Sequence, residues 1–159
     1  ENLANDMINI SNYFSITSFI AGGQSMGSAT ALYTAIKFSN KVSALILVRP
    51  PTAWEVRDQR RDHLIDVANQ YKKKHPHDLS HNVFRGAAMS DLPPINSQLY
   101  SLITCPVLIL CHDGDSAHPI STGQTLSTLL SNCQLIITQT HEEALITWPQ
   151  IIKQFIYSL

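Results

Sequence analysis

Short apolar runs alternate with segments of helical spacing along this chain, and this alternation restricts its fold more than any other feature. The runs lie at 18–21, 42–48, 106–110 and 135–138, and they have the length of buried strands, roughly four to eight residues. Strands joined through helices run parallel, with right-handed crossovers. The sequence therefore predicts an α/β protein with a parallel sheet of about four strands flanked by helices.

Helix boundaries follow from spacing and from capping residues. The segment 26–38 carries apolar residues at helical spacing directly after the first strand. Thr52 and Glu55 fit a capping box that opens a long polar helix, and Thr147-Trp148-Pro149 is typical of the start of the last helix. The first helix is predicted from four apolar residues spaced to lie on one face: Leu3, Met7, Ile10 and Phe14.

A Gly-x-Ser-x-Gly pentapeptide, Gly23-Gln24-Ser25-Met26-Gly27, lies between the first strand and the second helix. A strand, a sharp turn and a helix around such a serine force it into a strained conformation that presents its hydroxyl to solvent. Gly23 and Gly27 are expected to be required because a Cβ at either position would collide with the neighbouring strand or helix. The pattern predicts an exposed, nucleophilic Ser25.

Residues that can accept the proton of this hydroxyl, or orient the acceptor, follow two later strands. Asp115 comes after the third strand and His141 after the fourth, and the carboxyl ends of parallel strands meet at one edge of the sheet. A hydroxyl, an imidazole that takes its proton and a carboxylate that orients the imidazole make up a serine hydrolase site. Asp113 and His118 are the alternative carboxylate and imidazole.

At these residues the sequence resembles the C-terminal part of the α/β-hydrolase fold superfamily. The resemblance covers nearly the whole chain. It implies that Ser25 is the nucleophile, Asp115 the acid and His141 the general base, because the family places its base after the last strand. The matching pieces are Gly22 to Gly27, Cys105 to Leu110 with Gly114-Asp115 and His118-Pro119, and Thr140-His141 before a terminal helix ending Phe155-Ile156.

The same resemblance makes the backbone N–H of Met26 one donor of an oxyanion hole. The family takes its second donor from a loop after an earlier strand, and no such loop precedes Ser25. We therefore expect an incomplete α/β-hydrolase fold that lacks its N-terminal strands. In it the strand before Ser25 is the outermost of four strands in sequence order, an exposed edge that favours self-association. We expect residues 1–159 alone to be of low stability and poorly active.

The chain is predicted to be a single domain over 1–159, with a short helical cap at about 52–101, where the family covers its substrate pocket. Gln24, Trp54 and Met89 are candidates for pocket walls, although plain packing explains Trp54 and Met89 equally well. No cofactor is implied. No metal is expected either, because few carboxylates lie near the histidines of the cap, His75, His77 and His81.

Composition argues against other classes of partner. The formal net charge is -1 and the one basic cluster is Lys72-Lys73-Lys74, so nucleic acid is not expected. No apolar run is long enough to span a bilayer. Three cysteines without metal-ligand spacing indicate reduced thiols of a cytoplasmic protein.

Two functional classes remain open. One is a serine hydrolase that acts on a small ester, thioester, lactone or activated carbon–carbon substrate. The other is a non-catalytic α/β-hydrolase-like binding module or an inactive fragment.

Overall fold

In the computed structural model, which describes residues 2–159, the apolar runs form one sheet of four parallel strands in the order β1-β2-β3-β4. The α/β class, the parallel pairing and the outermost position of the strand before Ser25 are confirmed. The strands are β1 (Phe19–Gln24), β2 (Val42–Val48), β3 (Val107–His112) and β4 (Cys133–Thr138). Gln24 and Val48, the last residues of β1 and β2, pair with each other, and Val48 pairs with Leu110, two residues before β3 ends. His112 and Thr138, the last residues of β3 and β4, also pair, so all four carboxyl ends lie at one edge of the sheet.

Helices cover both faces of this sheet. On one face, α6 (His141–Tyr157) packs Trp148 and Phe155 against side chains of β2 and β3 such as Ile46 and Leu108. On the other face, α2 (Met26–Lys37) contacts β1 and β2, and α5 (Ile120–Leu129) contacts β3 and β4. A 3₁₀ helix at Gln98–Leu102 leads toward β3. The buried layers hold the strand ends in place for the site described below.

The first helix, α1 (Asn2–Tyr13), packs against α2 and buries a different stripe from the predicted one. Its buried residues are Ala4, Ile8 and Ser11. Leu3, Ile10 and Phe14, which the spacing placed on the apolar face, are 47%, 59% and 66% exposed. Met7, the fourth predicted residue, is half-buried, with its sulfur 3.4 Å from the Thr34 hydroxyl of α2. The apolar spacing therefore located the helix correctly, but only one of the four predicted residues turns toward α2.

The last helix begins six positions earlier than predicted, at His141 instead of Thr147. Thr140 is the N-cap: its hydroxyl accepts a hydrogen bond from the Glu143 N–H at 3.1 Å, and the Glu143 carboxylate accepts one from the Gln139 N–H at 2.7 Å. The Glu143 side chain thus reaches the residue before the N-cap, so this is a variant of the capping box, in which the carboxylate would bond the N-cap N–H itself. Pro149 consequently lies inside the helix and not in its first turn.

Residues Thr52–Asn96 form a compact unit of their own, separate from the unit that contains the sheet. It consists of α3 (Trp54–Lys74) packed on α4 (His81–Met89). The predicted cap at Thr52 is wrong, because the N-cap is Ala53. The Asp91 carboxylate accepts the Trp54 N–H at 3.0 and 3.1 Å and takes over the capping role. Among residues 2–159, no helix has the length and apolarity needed to cross a membrane.

Candidate active site

Ser25 occupies a strained turn between β1 and α2. Its backbone lies at φ 55° and ψ −117°, a region that costs a residue with a Cβ on the order of 1–3 kcal/mol. Hydrogen bonds on both sides hold it there. The Ser25 N–H donates to the Val48 carbonyl at 3.0 Å, and the Ser25 carbonyl accepts from the Ser28 hydroxyl at 2.7 Å. Such strain is kept where the surroundings impose it, and it lifts the hydroxyl out of the strand.

One of the two glycines of the pentapeptide is required by space, and the other is not. A Cβ on Gly23 would lie 2.6 Å from the carbonyl carbon of Gly27, whereas a Cβ on Gly27 would meet nothing within 4 Å. The expected collision at Gly27 is therefore wrong. Gly22, directly before the pentapeptide, is also crowded, since its Cβ would lie 3.1 Å from the Ile46 carbonyl oxygen. Close approach of strand to helix at Gly23 makes the sharp turn feasible.

The Ser25 hydroxyl begins a chain of hydrogen bonds through an imidazole to a carboxylate. Its Oγ lies 2.8 Å from Nε2 of His118, and Nδ1 of His118 lies 2.9 Å from Oδ2 of Asp115. Because a carboxylate oxygen only accepts, Nδ1 carries the proton and Nε2 accepts from the serine. In this tautomer the imidazole can take the proton of Ser25.

The Asp115 carboxylate is fixed by its own turn. Its Oδ1 accepts the backbone N–H groups of Ala117 at 3.1 Å and His118 at 3.2 Å. That leaves Oδ2 for side chains, including the guanidinium of Arg49. Burial alone would raise the pKa of Asp115, but the hydrogen bonds from His118 and Arg49 outweigh it and lower the pKa to about 2. Asp115 is therefore a carboxylate at neutral pH.

The imidazole that links Ser25 to Asp115 belongs to His118 and not to His141. This differs from the arrangement expected from the sequence. His118 lies three residues beyond Asp115, so the turn that fixes the carboxylate also brings this ring onto it. His141 is exposed at the first position of α6, and its ring centroid lies 5.4 Å from that of His112. The N-cap at Thr140 explains the difference, because it makes His141 a helix residue and not part of a loop.

Two residues near Asp115 were missed from the sequence. Arg49 follows β2, and its Nε donates to Oδ2 of Asp115 at 2.8 Å. His112 ends β3, with its Nε2 3.5 Å from the same oxygen and its Nδ1 2.8 Å from the Asp113 carbonyl. The position of Arg49 at a strand end on the same edge was the signal that could have identified it.

The alternative carboxylate, Asp113, braces the loop. Its N–H donates to the Thr138 carbonyl at 2.9 Å, and its Oδ1 accepts the Gly114 N–H at 2.8 Å. Neither contact involves an imidazole. Asp115 is thus the carboxylate that meets the ring bound to Ser25.

The remaining predicted residues lie as follows. Met26 is the first residue of α2, and within residues 2–159 its backbone N–H has no hydrogen-bond partner, as is usual for the first turn of a helix. Gln24 ends β1 and is exposed. Trp54 and Met89 belong to the second unit, where the Trp54 Nε1–H donates to the Pro93 carbonyl at 2.8 Å and Met89 is 77% exposed. Their role as pocket walls stays a prediction.

The family model described as the alpha/beta hydrolase fold matches residues 1–102 of this sequence. The chain belongs to the alpha/beta hydrolase fold family. No curated protein sequence is similar enough to count as a match.

Solved structures of alpha/beta hydrolases share the fold. MGS-M2, an alpha/beta hydrolase enzyme from a Medee basin deep-sea metagenome library, is 15% identical with a TM-score of 0.72, covering 98% of this chain and 69% of that one. The meta-cleavage product hydrolase CumD from Pseudomonas fluorescens IP01, in a mutant form complexed with acetates, is 14% identical with a TM-score of 0.69, covering 98% and 70%. The enol-lactonase from Burkholderia xenovorans LB400 is 16% identical with a TM-score of 0.65, covering 99% and 71%.

Proposed function

We propose that this alpha/beta hydrolase is a serine hydrolase in which Ser25 is the nucleophile, His118 the general base and Asp115 the acid of a triad. The observation that carries the proposal is the unbroken chain of hydrogen bonds from Ser25 Oγ through His118 to Asp115. A binding module would have no need to keep a strained serine paired to an oriented imidazole. The proposal therefore favours catalysis over the non-catalytic alternative.

In the first half of the reaction, Ser25 Oγ attacks the electrophilic carbonyl carbon of the substrate while His118 Nε2 takes the hydroxyl proton. Asp115 holds the neutral ring in the correct tautomer and stabilises the imidazolium that forms. The negative charge forms on the former carbonyl oxygen, and the backbone N–H of Met26 donates to it. Nε2–H then protonates the leaving group as its bond to the acyl carbon breaks, which leaves Ser25 acylated.

In the second half, water takes the place of the leaving group. His118 Nε2 accepts a proton from the water as its oxygen attacks the acyl carbon, and the same proton returns to Ser25 Oγ when the acyl bond breaks. The acid product leaves and the enzyme is restored. Every proton transfer in the cycle passes through Nε2 of one histidine.

The substrate class is proposed to be a small ester, thioester, lactone or activated carbon–carbon compound. The names of two structural neighbours support this range, because one is a meta-cleavage product hydrolase and another an enol-lactonase. The proposed substrates share a carbonyl carbon that accepts a serine oxygen and a leaving group that accepts a proton. The proposed site supplies both functions.

The test is a panel of these four substrate classes offered to the full-length protein. Ser25→Ala should remove nearly all turnover of any substrate that the protein hydrolyses, because the triad acts as a unit. The matched control is Ser101→Ala, which removes the hydroxyl of an exposed serine on the 3₁₀ helix. Turnover that survives in Ser25→Ala at the level of the control would overturn the proposal.

A further inference from the structure

Arg49 places a positive charge on the triad carboxylate. It directly follows β2, and both its Nε, at 2.8 Å, and its Nη2 contact Oδ2 of Asp115. The same oxygen accepts Nδ1–H of His118 at 2.9 Å. One carboxylate oxygen thus receives a guanidinium and an imidazole, while the other is held by the backbone of its own turn.

The backbone of Arg49 is strained in a way that keeps this side chain in place. Its φ is 47°, in the left-handed region that residues with a Cβ disfavour. The N–H of Arg49 donates to the Leu110 carbonyl at 2.7 Å, which ties it to the strand that leads into the Asp115 loop. A strained non-glycine residue beside a catalytic group is a reason to look for function.

On the basis of the hydrolase function proposed above, we propose that Arg49 is a positioning residue of this site, which fixes the Asp115 carboxylate toward His118 and sets the pH range of activity through its positive charge. The first role follows from its two contacts to Oδ2. The second follows from its Nη2 lying 3.4 Å from Nδ1 of His118. In the tautomer required for catalysis, Nη2 of Arg49 and Nδ1 of His118 both carry hydrogen, so they do not form a hydrogen bond with each other. The positive charge of the guanidinium therefore opposes the second positive charge that the ring acquires on protonation.

The sign of the pH effect follows from this repulsion. Activity requires His118 to be neutral, so kcat/KM falls at acid pH as the ring becomes protonated. Without the guanidinium, protonation becomes easier and the acid limb moves to higher pH. A shift of roughly one pH unit is expected, at the low end for a nearby charge because the Arg49 side chain is 21% exposed.

Other ionisable groups around the carboxylate must be separated from this effect. His112 Nε2 is 3.5 Å from Oδ2 of Asp115, and the His141 ring lies beside that of His112. Burial raises the pKa of the Cys111 thiol to about 12, so it stays neutral. The charged or titratable groups that face the His118–Asp115 pair are Arg49, Cys111 and His112, with His141 and Glu142 beyond His112.

The experiment compares Arg49→Lys and Arg49→Gln in the full-length protein, with pH profiles of kcat and kcat/KM. Arg49→Lys keeps the charge and loses the guanidinium geometry, so its acid limb should stay in place while plateau kcat falls about tenfold. Arg49→Gln loses both the charge and the guanidinium geometry, so its plateau kcat should fall and the acid limb of its pH profile should also move to higher pH by roughly one unit. Lys153→Gln, on an exposed helix position, is the control for the same change of net charge and should match the wild type.

Two further variant backgrounds show through which residue Arg49 acts on kcat and on the pH profile. In an Asp115→Asn background, Arg49→Gln should add little further loss of kcat, because the guanidinium acts through that carboxylate. In a His112→Gln background, the shift caused by Arg49→Gln should persist. A shift that vanishes there would assign the pH effect to His112.

The outcomes separate this proposal from the function it rests on. If Ser25→Ala is inactive but both Arg49 variants keep the wild-type kcat and pH profile, the role of Arg49 is overturned and the hydrolase function stands. If Ser25→Ala remains active, the hydrolase function itself fails. Should Arg49→Gln not fold, Arg49→Lys decides: undiminished kcat in that variant contradicts the positioning role.

Discussion

Replacement of His118 by alanine should abolish hydrolysis, whereas replacement of His141 should not. His118 makes both the 2.8 Å contact to Ser25 and the 2.9 Å contact to Asp115. Another imidazole near that carboxylate, His112, lies 3.5 Å from Oδ2, and its Nδ1 is engaged with the Asp113 carbonyl, so it offers no replacement base. Loss of a triad histidine typically costs roughly 10⁴–10⁶-fold in kcat, which corresponds to about 5.5–8 kcal/mol of transition-state stabilisation.

The assay is single-turnover and steady-state hydrolysis of the best ester found in the substrate panel. His141→Ala serves as the matched control, because it removes the same ring from the first turn of α6 and should change kcat by less than about threefold. Thermal unfolding of both variants checks that each is folded. The opposite result, a nearly normal His118→Ala and an inactive His141→Ala, would refute the assignment of the base and restore the one expected from the sequence.

The remaining predictions concern stability and association. Gly23→Ala should destabilise the protein by about 3 kcal/mol in urea unfolding, because its Cβ meets backbone at 2.6 Å, while Gly27→Ala should be neutral or stabilising by up to about 1 kcal/mol. The pKa of Asp115 is lowered from 3.8 to about 2, so its contribution of about 2 kcal/mol is fully present above pH 3.8 and is lost as pH falls through about 2. The free energy of unfolding, measured between about pH 5 and pH 1.5, should show this loss in the wild type and not in Asp115→Asn. An equal loss in Asp115→Asn would contradict the attribution of this stability to the Asp115 carboxylate. Residues 1–159 produced alone should self-associate, because β1 is an outermost strand with an unpaired edge; sedimentation as a monomer would contradict this.

The strands and their order could be predicted from the sequence because they depend on local patterns and on the handedness of crossovers. Each apolar run became a strand, and sequence order became spatial order. Helix faces and helix starts were harder. The buried stripe of α1 depends on how α2 packs against it, and the N-cap at Thr140 was overlooked in favour of Pro149.

The candidate site could be predicted down to Ser25 and the carboxylate loop, but the imidazole could not. His118 and His141 both follow strand ends on the same edge, and their spacing alone does not say which ring turns toward Ser25. That choice is made by a tight turn in which backbone N–H groups hold one oxygen of Asp115 and direct the other at His118. The strand-end position of Arg49 was a signal that could have identified it, but the left-handed backbone conformation at this residue was not indicated by any sequence pattern.

Reaction of Ser25 with a fluorophosphonate tests the central claim most directly, because the probe labels only a serine activated by a base. The account predicts one phosphonylated residue in the full-length protein, identified as Ser25 by mass spectrometry of its peptide. Labelling should be absent in Ser25→Ala, slowed by orders of magnitude in His118→Ala and unchanged in His141→Ala. A protein that is folded and yet unlabelled at Ser25, or labelled there equally fast without His118, would contradict it.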